Sequence, residues 1–137
     1  SLGLDQVNIR LFCDYLRDYA RSENKTFFLT SHIIQDMERV IDDCIIMDYG
    51  SILIQQPIET LMKELRRYTC TVPEGYQPQL PATCYHPAVI RQTLETYSFL
   101  PLVDVEKLLK ESQVPFTGLQ HENVSLEDAF IGLTGKY

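Results

Sequence analysis

Long apolar runs are missing from this chain. No stretch approaches the ~18 residues that a membrane span requires. The first residues carry no basic segment followed by an apolar one, so no secretory signal is visible. Positive charge is scarce: 12 Lys and Arg stand against 19 Asp and Glu, for a formal net charge of −7 and a pI of about 4.8. Phosphate binding wants a surplus of Lys and Arg on one face, so free nucleic acid is not an expected partner. Only Lys63, Arg66 and Arg67 cluster, at a predicted helix end, where cations favour the dipole. A starting methionine is also absent, and Ser1 opens directly on a glycine-containing turn. The expectation is a fragment of a longer protein, an engineered piece or a processed chain.

Motif chemistry is thin as well. There is no G-x-x-x-x-G-K-[ST], no G-x-G-x-x-G, no G-x-S-x-G and no H-E-x-x-H, so neither a phosphate cradle nor a familiar nucleophile is visible. Cys13, Cys44, Cys70 and Cys84 form no C-x-x-C pair, and their spacings fit no zinc pattern. Cys13 and Cys44 fall within apolar patterns, which reads as buried thiols in a reducing compartment.

What remains is an ordinary globular composition, 45% apolar and 23% charged over 137 residues, enough for one domain or two small ones. Ile9, Phe12, Leu16 and Tyr19 lie at helical spacing between Gln6 and Arg21, with Asp5 placed to cap. "TFFLTS", Thr26 to Ser31, has consecutive apolar residues and reads as a strand buried on both faces in a parallel sheet. A helix from about Ile34 to Ile41 is expected next. "CIIMDYG" and "SILIQQ" then predict a hairpin turning at Tyr49-Gly50. Pro57 suits the first turn of a helix carrying Ile58, Leu61, Met62 and Leu65.

After Arg67 the texture changes. "YTCTVPEGYQPQLPATCYHP" holds four of the chain's seven prolines, which excludes continuous helix. A domain boundary is placed there, dividing residues 1–67 from 68–137. Arg91 to Phe99 leans to strand on its Thr, Tyr and Phe content, although a helix face also fits. Asp104 to Ser112 predicts a helix, "VPFTGLQ" a strand, and Ser125 with an acid three residues on predicts a helix start that Gly135 ends.

His32, at the tip of the predicted strand, is the residue with most chemical promise. Open α/β sheets bind ligands at the carboxyl ends of their strands, and an imidazole there can donate to an anionic oxygen. A capping or core histidine fits the same pattern. The acidic neighbours Asp36/Glu38, Asp42/Asp43 and Glu127/Asp128 read as solvated surface, because adjacent helical residues do not face each other. His86 and His121 have no partners at ligand spacing.

Taken in order, "SLGLD", an amphipathic helix, "KTFFLTSH", a helix with "MERVID", and "CIIMDYGSIL" resemble the C-terminal half of the ATPase subunit of ATP-binding-cassette transporters. The resemblance runs from Ser1 to about Leu65. The ending "SLEDAFIGLTG" resembles the tail of an exporter-like subgroup. The implied fold is α/β: the rear half of a P-loop NTPase, with part of a parallel sheet and a β-hairpin, then a small α+β subdomain. Ser1, Leu2, Gly3, Leu4 and Asp5 would be the D-loop at the interface between two ATPase subunits. His32 would be the switch histidine that contacts the γ-phosphate of ATP, a donor for charge developing in phosphoryl transfer.

The P-loop, signature motif, Walker B aspartate and catalytic glutamate of such a subunit lie upstream of the D-loop. The resemblance therefore implies that ATP and Mg2+ belong to the intact subunit and that this chain alone neither binds ATP tightly nor hydrolyses it. The implied partners are an N-terminal half, a second ATPase subunit and a transmembrane subunit, on the cytoplasmic face of a membrane. The isolated piece is expected to self-associate through exposed apolar faces and strand edges. Two other functions fit the residues: a regulatory or dimerisation module in 68–137, and a stand-alone interaction protein retaining a degenerate cassette remnant.

Overall fold

The computed structural model describes residues 6–23 and 37–135. The predicted strand at 26–31 and the start of the predicted helix at 34–41 lie outside these residues, as do Ser1 to Asp5 and His32.

The first element is α1, Gln6–Ser22. The helix forms where its apolar spacing predicts, but two members of that spacing, Phe12 and Tyr19, are exposed. Cys13 is only 2% exposed, while Leu11, Phe12, Tyr15 and Tyr19 are exposed. Within the described part of 34–41 there is one 3-10 turn, Met37–Arg39. Val40 and Ile41 have already left helical geometry. Two successive β-branched residues are poor helix formers, and the chain passes here into an extended segment.

That segment is β1, Asp43–Asp48, paired antiparallel with β2, Ser51–Pro57. Tyr49 and Gly50 link them with φ of 49° and 76°. Positive φ at both central residues is the two-residue hairpin turn whose twist matches its strands, and glycine takes the second position without a steric penalty. Pairing sets Ile46 opposite Ile54, both buried. Pro57 stands one position outside its helix, ending β2 with φ −57° and ψ 141° and leading into α2, Ile58–Glu64. The Ile58 amide donates to Asp42 O at 2.9 Å, fastening α2 to the foot of the hairpin.

The larger sheet is built from β3 (Arg66–Thr71), β4 (Tyr85–Ile90), β5 (Thr93–Ser98) and β6 (Thr117–Asn123), in the order β4-β5-β3-β6. All of its pairings are antiparallel. The ambiguous stretch at 91–99 thus holds a strand, Thr93–Ser98, preceded by a turn at Arg91 and Gln92. The chain is α/β with two antiparallel sheets; among the described residues no parallel pair is found.

Alternation along the strands sends neighbouring side chains to opposite faces. One face carries Tyr68, Cys70 and Leu94 against Val105 and Leu109 of α3, Leu102–Glu111. The other carries Tyr97 against Ala129 and Leu133 of α4, Leu126–Thr134. Ile46, Ile54, Leu61 and Leu65 belong to this second cluster. Its apolar packing therefore joins the hairpin and α2 to α4 across position 67/68, which falls inside β3. Polar groups buried under α3 are paired: Thr96 Oγ1 donates to Tyr85 O at 2.9 Å and Ser98 Oγ to Thr83 O at 2.8 Å.

The C-terminal helix follows its sequence signals closely. Ser125 Oγ accepts from the Asp128 amide at 3.1 Å, and Gly135 closes the helix with φ 72°.

Candidate functional site

Ser1 to Asp5, expected at the interface between ATPase subunits, and His32, expected to contact the γ-phosphate, are outside the described structure. The elements that follow each of them in sequence are within it. The helix α1 begins directly after Asp5, and the 3-10 turn at Met37–Arg39 lies a few residues after His32. A cluster of charge ties the two together.

Asp14, on α1, is its centre. Arg17 Nη2 lies 3.4 Å from Asp14 Oδ1, one helical turn along. Arg39 Nη2 approaches the same oxygen at 3.8 Å. Arg17 Nη1 also donates to Arg39 O at 3.5 Å, the outer limit of a hydrogen bond. Arg17 Nε is buried, and Asp18 at 3.9 Å is too far to accept from it. One carboxylate thus bridges two guanidiniums, one on each element. The contribution to stability is small, since these side chains are partly in water. The geometric effect is to hold the rear of the expected D-loop helix beside the segment that follows the expected histidine. The Asp14/Arg17 spacing is visible in sequence as an i, i+3 pair; the Arg39 contact is not, because it joins distant parts of the chain.

Elsewhere the ionisable groups have structural roles. Arg67 of β3 reaches across to Glu122 of β6, its Nε donating at 2.8 Å to Oε1. That bond holds the guanidinium above its ordinary range, with Tyr97 adding to the same effect. Burial raises the Tyr97 hydroxyl, against the lowering influence of Arg67. Burial likewise raises the thiols of Cys44, Cys70 and Cys84. All four cysteines are thiols, not disulfides. A raised pKa keeps a thiol protonated and a poor nucleophile, and Cys70 and Cys84 are also buried in the core. Among the described residues no group of three or more His, Cys, Asp or Glu side chains could hold a metal ion. Among them, too, no helix is long and apolar enough to cross a membrane.

The described geometry defines an α/β protein with an antiparallel C-terminal layer. No family model matches the chain. Among curated proteins it is similar to the Nod factor export ATP-binding protein I of Ralstonia nicotianae, 32% identical over 147 aligned positions, covering 99% of this chain and 44% of that protein. It is also similar to the bacitracin transport ATP-binding protein BcrA of Enterococcus faecalis, 25% identical over 139 positions, covering 97% of this chain and 45% of that one. BcrA of Bacillus licheniformis is 32% identical over 66 positions, 48% of this chain. The relatives are ATP-binding proteins of transport systems, which supports the ATP-binding-cassette resemblance. This chain spans less than half the length of each of them.

Proposed function

We propose that this chain is the C-terminal part of the ATP-binding subunit of an exporter-like ATP-binding-cassette transporter. The observation that carries the reading is the similarity to an export ATP-binding protein along 99% of the chain. That span takes in both the Ser1–Asp5 and the His32 segments. In the whole subunit Ser1, Leu2, Gly3, Leu4 and Asp5 form the D-loop that faces a second ATPase subunit, and His32 donates to the γ-phosphate of ATP. ATP and Mg2+ are held mainly by residues upstream of the D-loop. Residues 1–67 are the rear of the nucleotide-binding domain, and residues 68–137 are an α+β accessory domain that shares a packed face with it. The subunit works on the cytoplasmic side of a membrane, docked on a transmembrane partner.

The ion pairs that link α1 to the 3-10 turn suit such a role. Positioning dominates phosphoryl transfer, and a misplacement of about 1 Å can cost on the order of a hundredfold in rate. The deciding experiment uses the intact subunit. His32→Ala should lower ATPase turnover by orders of magnitude while leaving the urea midpoint nearly unchanged. Equal losses in turnover and stability would make His32 a packing residue and remove the proposal's catalytic content. The chain by itself should show no magnesium-dependent ATPase activity.

A further inference from the structure

The end of α2 meets the start of β3 at a place where charge is distributed unusually. Five of the nine described basic side chains have a carboxylate beside them, and of the other four, Arg21, Lys63, Arg66 and Arg91, only Lys63 and Arg66 lie close together in sequence. Arg17 and Arg39 share Asp14, Arg67 has Glu122, and Lys107 and Lys110 have Glu111 and Glu106. Lys63 and Arg66 have no such partner among the described residues. Arg66 instead turns Nη1 back onto the carbonyls of Lys63 and Leu65. A guanidinium carries five N–H donors, so several remain available.

Both residues border a shallow, open concavity of about 440 Å³. His121 of β6 also lines it, its ring stacked on Tyr68 with centroids 5.7 Å apart. The Tyr68 hydroxyl donates to Leu100 O at 2.6 Å, tying two of the lining residues together. Phe99, Leu100 and Leu102, where the chain enters α3, are its apolar lining. Glu64 is the one carboxylate on the lining, and Asp104 lies near enough to Tyr68 to act on its hydroxyl against Arg66, so an anion here would be held by the free donors of Lys63 and Arg66 rather than by a net positive field.

We propose that this concavity binds a small organic anion, whose phosphate or carboxylate head is held by Lys63 and Arg66 and whose apolar body lies against Phe99 and Leu102. Charge-assisted and forked contacts from Arg suit such a head group. A bulk polyanion does not fit, because the chain as a whole is acidic. The site stands apart in sequence from the proposed D-loop at Ser1–Asp5 and the proposed phosphate contact at His32, and the inference does not rest on the transporter reading.

The test is a titration of the whole chain, labelled with 15N, with phenyl phosphate and separately with inorganic phosphate. Phenyl phosphate should shift the amide resonances around Lys63, Arg66, Leu102 and His121 saturably, about tenfold more tightly than inorganic phosphate. Lys63 is an exposed helix residue, so Lys63→Glu should keep the dispersed spectrum and weaken binding at least about tenfold. Arg91→Glu, on the far turn between β4 and β5, should bind as the parent does. The proposal is overturned if saturation is not reached by about 5 mM, if the shifts map elsewhere, or if Lys63→Glu binds unchanged. Equal affinity for the two phosphates would overturn the apolar half of the site.

Discussion

Gly132 of α4 lies against the ring of Tyr97 of β5 so closely that a β-carbon at position 132 would stand 2.4 Å from two of the ring carbons. Tyr97 is itself buried, with its hydroxyl close to the Arg67 guanidinium. The absence of a side chain at Gly132 is therefore what lets the helix descend onto the sheet at this point. Gly132→Ala should cost about 1–3 kcal/mol through overpacking, despite the better helix propensity of alanine. Urea denaturation checks this. In a Tyr97→Leu background the same substitution should cost distinctly less, and an equal cost in both backgrounds would exclude the ring as the cause.

The bridge from Asp14 to Arg39 should register weakly in stability. Both side chains are more than a third exposed, at 36% and 47%, and water screens such pairs. A double-mutant cycle with Asp14→Ala and Arg39→Ala should return a coupling below about 1 kcal/mol. A coupling of several kcal/mol would mean that the pair is far drier than its exposure indicates.

Alkaline pH should loosen the fold. Burial raises Cys70 and Cys84 above their ordinary 9.0, with the neighbouring Thr96 side chain partly offsetting the effect at Cys84. Burial also raises Tyr68 and Tyr97 above 10.0. Each group is neutral when protonated, so above its ordinary pKa the unfolded chain releases a proton that the folded chain still holds. The unfolded state then binds fewer protons, and stability falls as pH rises. The contribution is complete below about pH 9 and is lost progressively above it. Urea midpoints should be level between about pH 7 and pH 8 and decline towards about pH 10.5. Cys70→Val should make the decline shallower, and an upward trend would contradict the assignment.

Local rules carried much of this architecture. The hairpin is written in two apolar runs and a Tyr49-Gly50 turn, and both appear where expected. The start of α4 is equally plain, because Ser125 and Asp128 satisfy a short-range hydrogen-bond pattern. By contrast β4 was hidden. It contains Pro87, and His86 at a φ of 45° breaks its register with β5 between Tyr85 and Ala88. Such an edge strand has no clean alternation to read.

The buried side of α1 was legible only in part. Cys13 was read as a buried thiol and is one, whereas the large apolar residues Phe12 and Tyr19 of the helical spacing are exposed. Size in sequence does not report which face meets a neighbour. At the candidate site, motif order pointed to Ser1–Asp5 and His32, while the Arg39 link to Asp14 arises only from tertiary packing. Lys63 and Arg66 read as helix-end cations. Arg66 does reach the last carbonyls of α2, but it does so from the first position of β3, and the concavity it borders could not be inferred from spacing.

The apolar cluster that runs from Ile46 and Ile54 through Leu61 and Leu65 to Ala129 and Leu133 makes the last helix part of one core with α2 and the hairpin. A protease cut or frameshift within the final turns would not merely trim a tail. It would lay bare side chains some seventy residues earlier, turning a local lesion at one end into a sticky surface near the other, of the sort that quality-control proteases recognise.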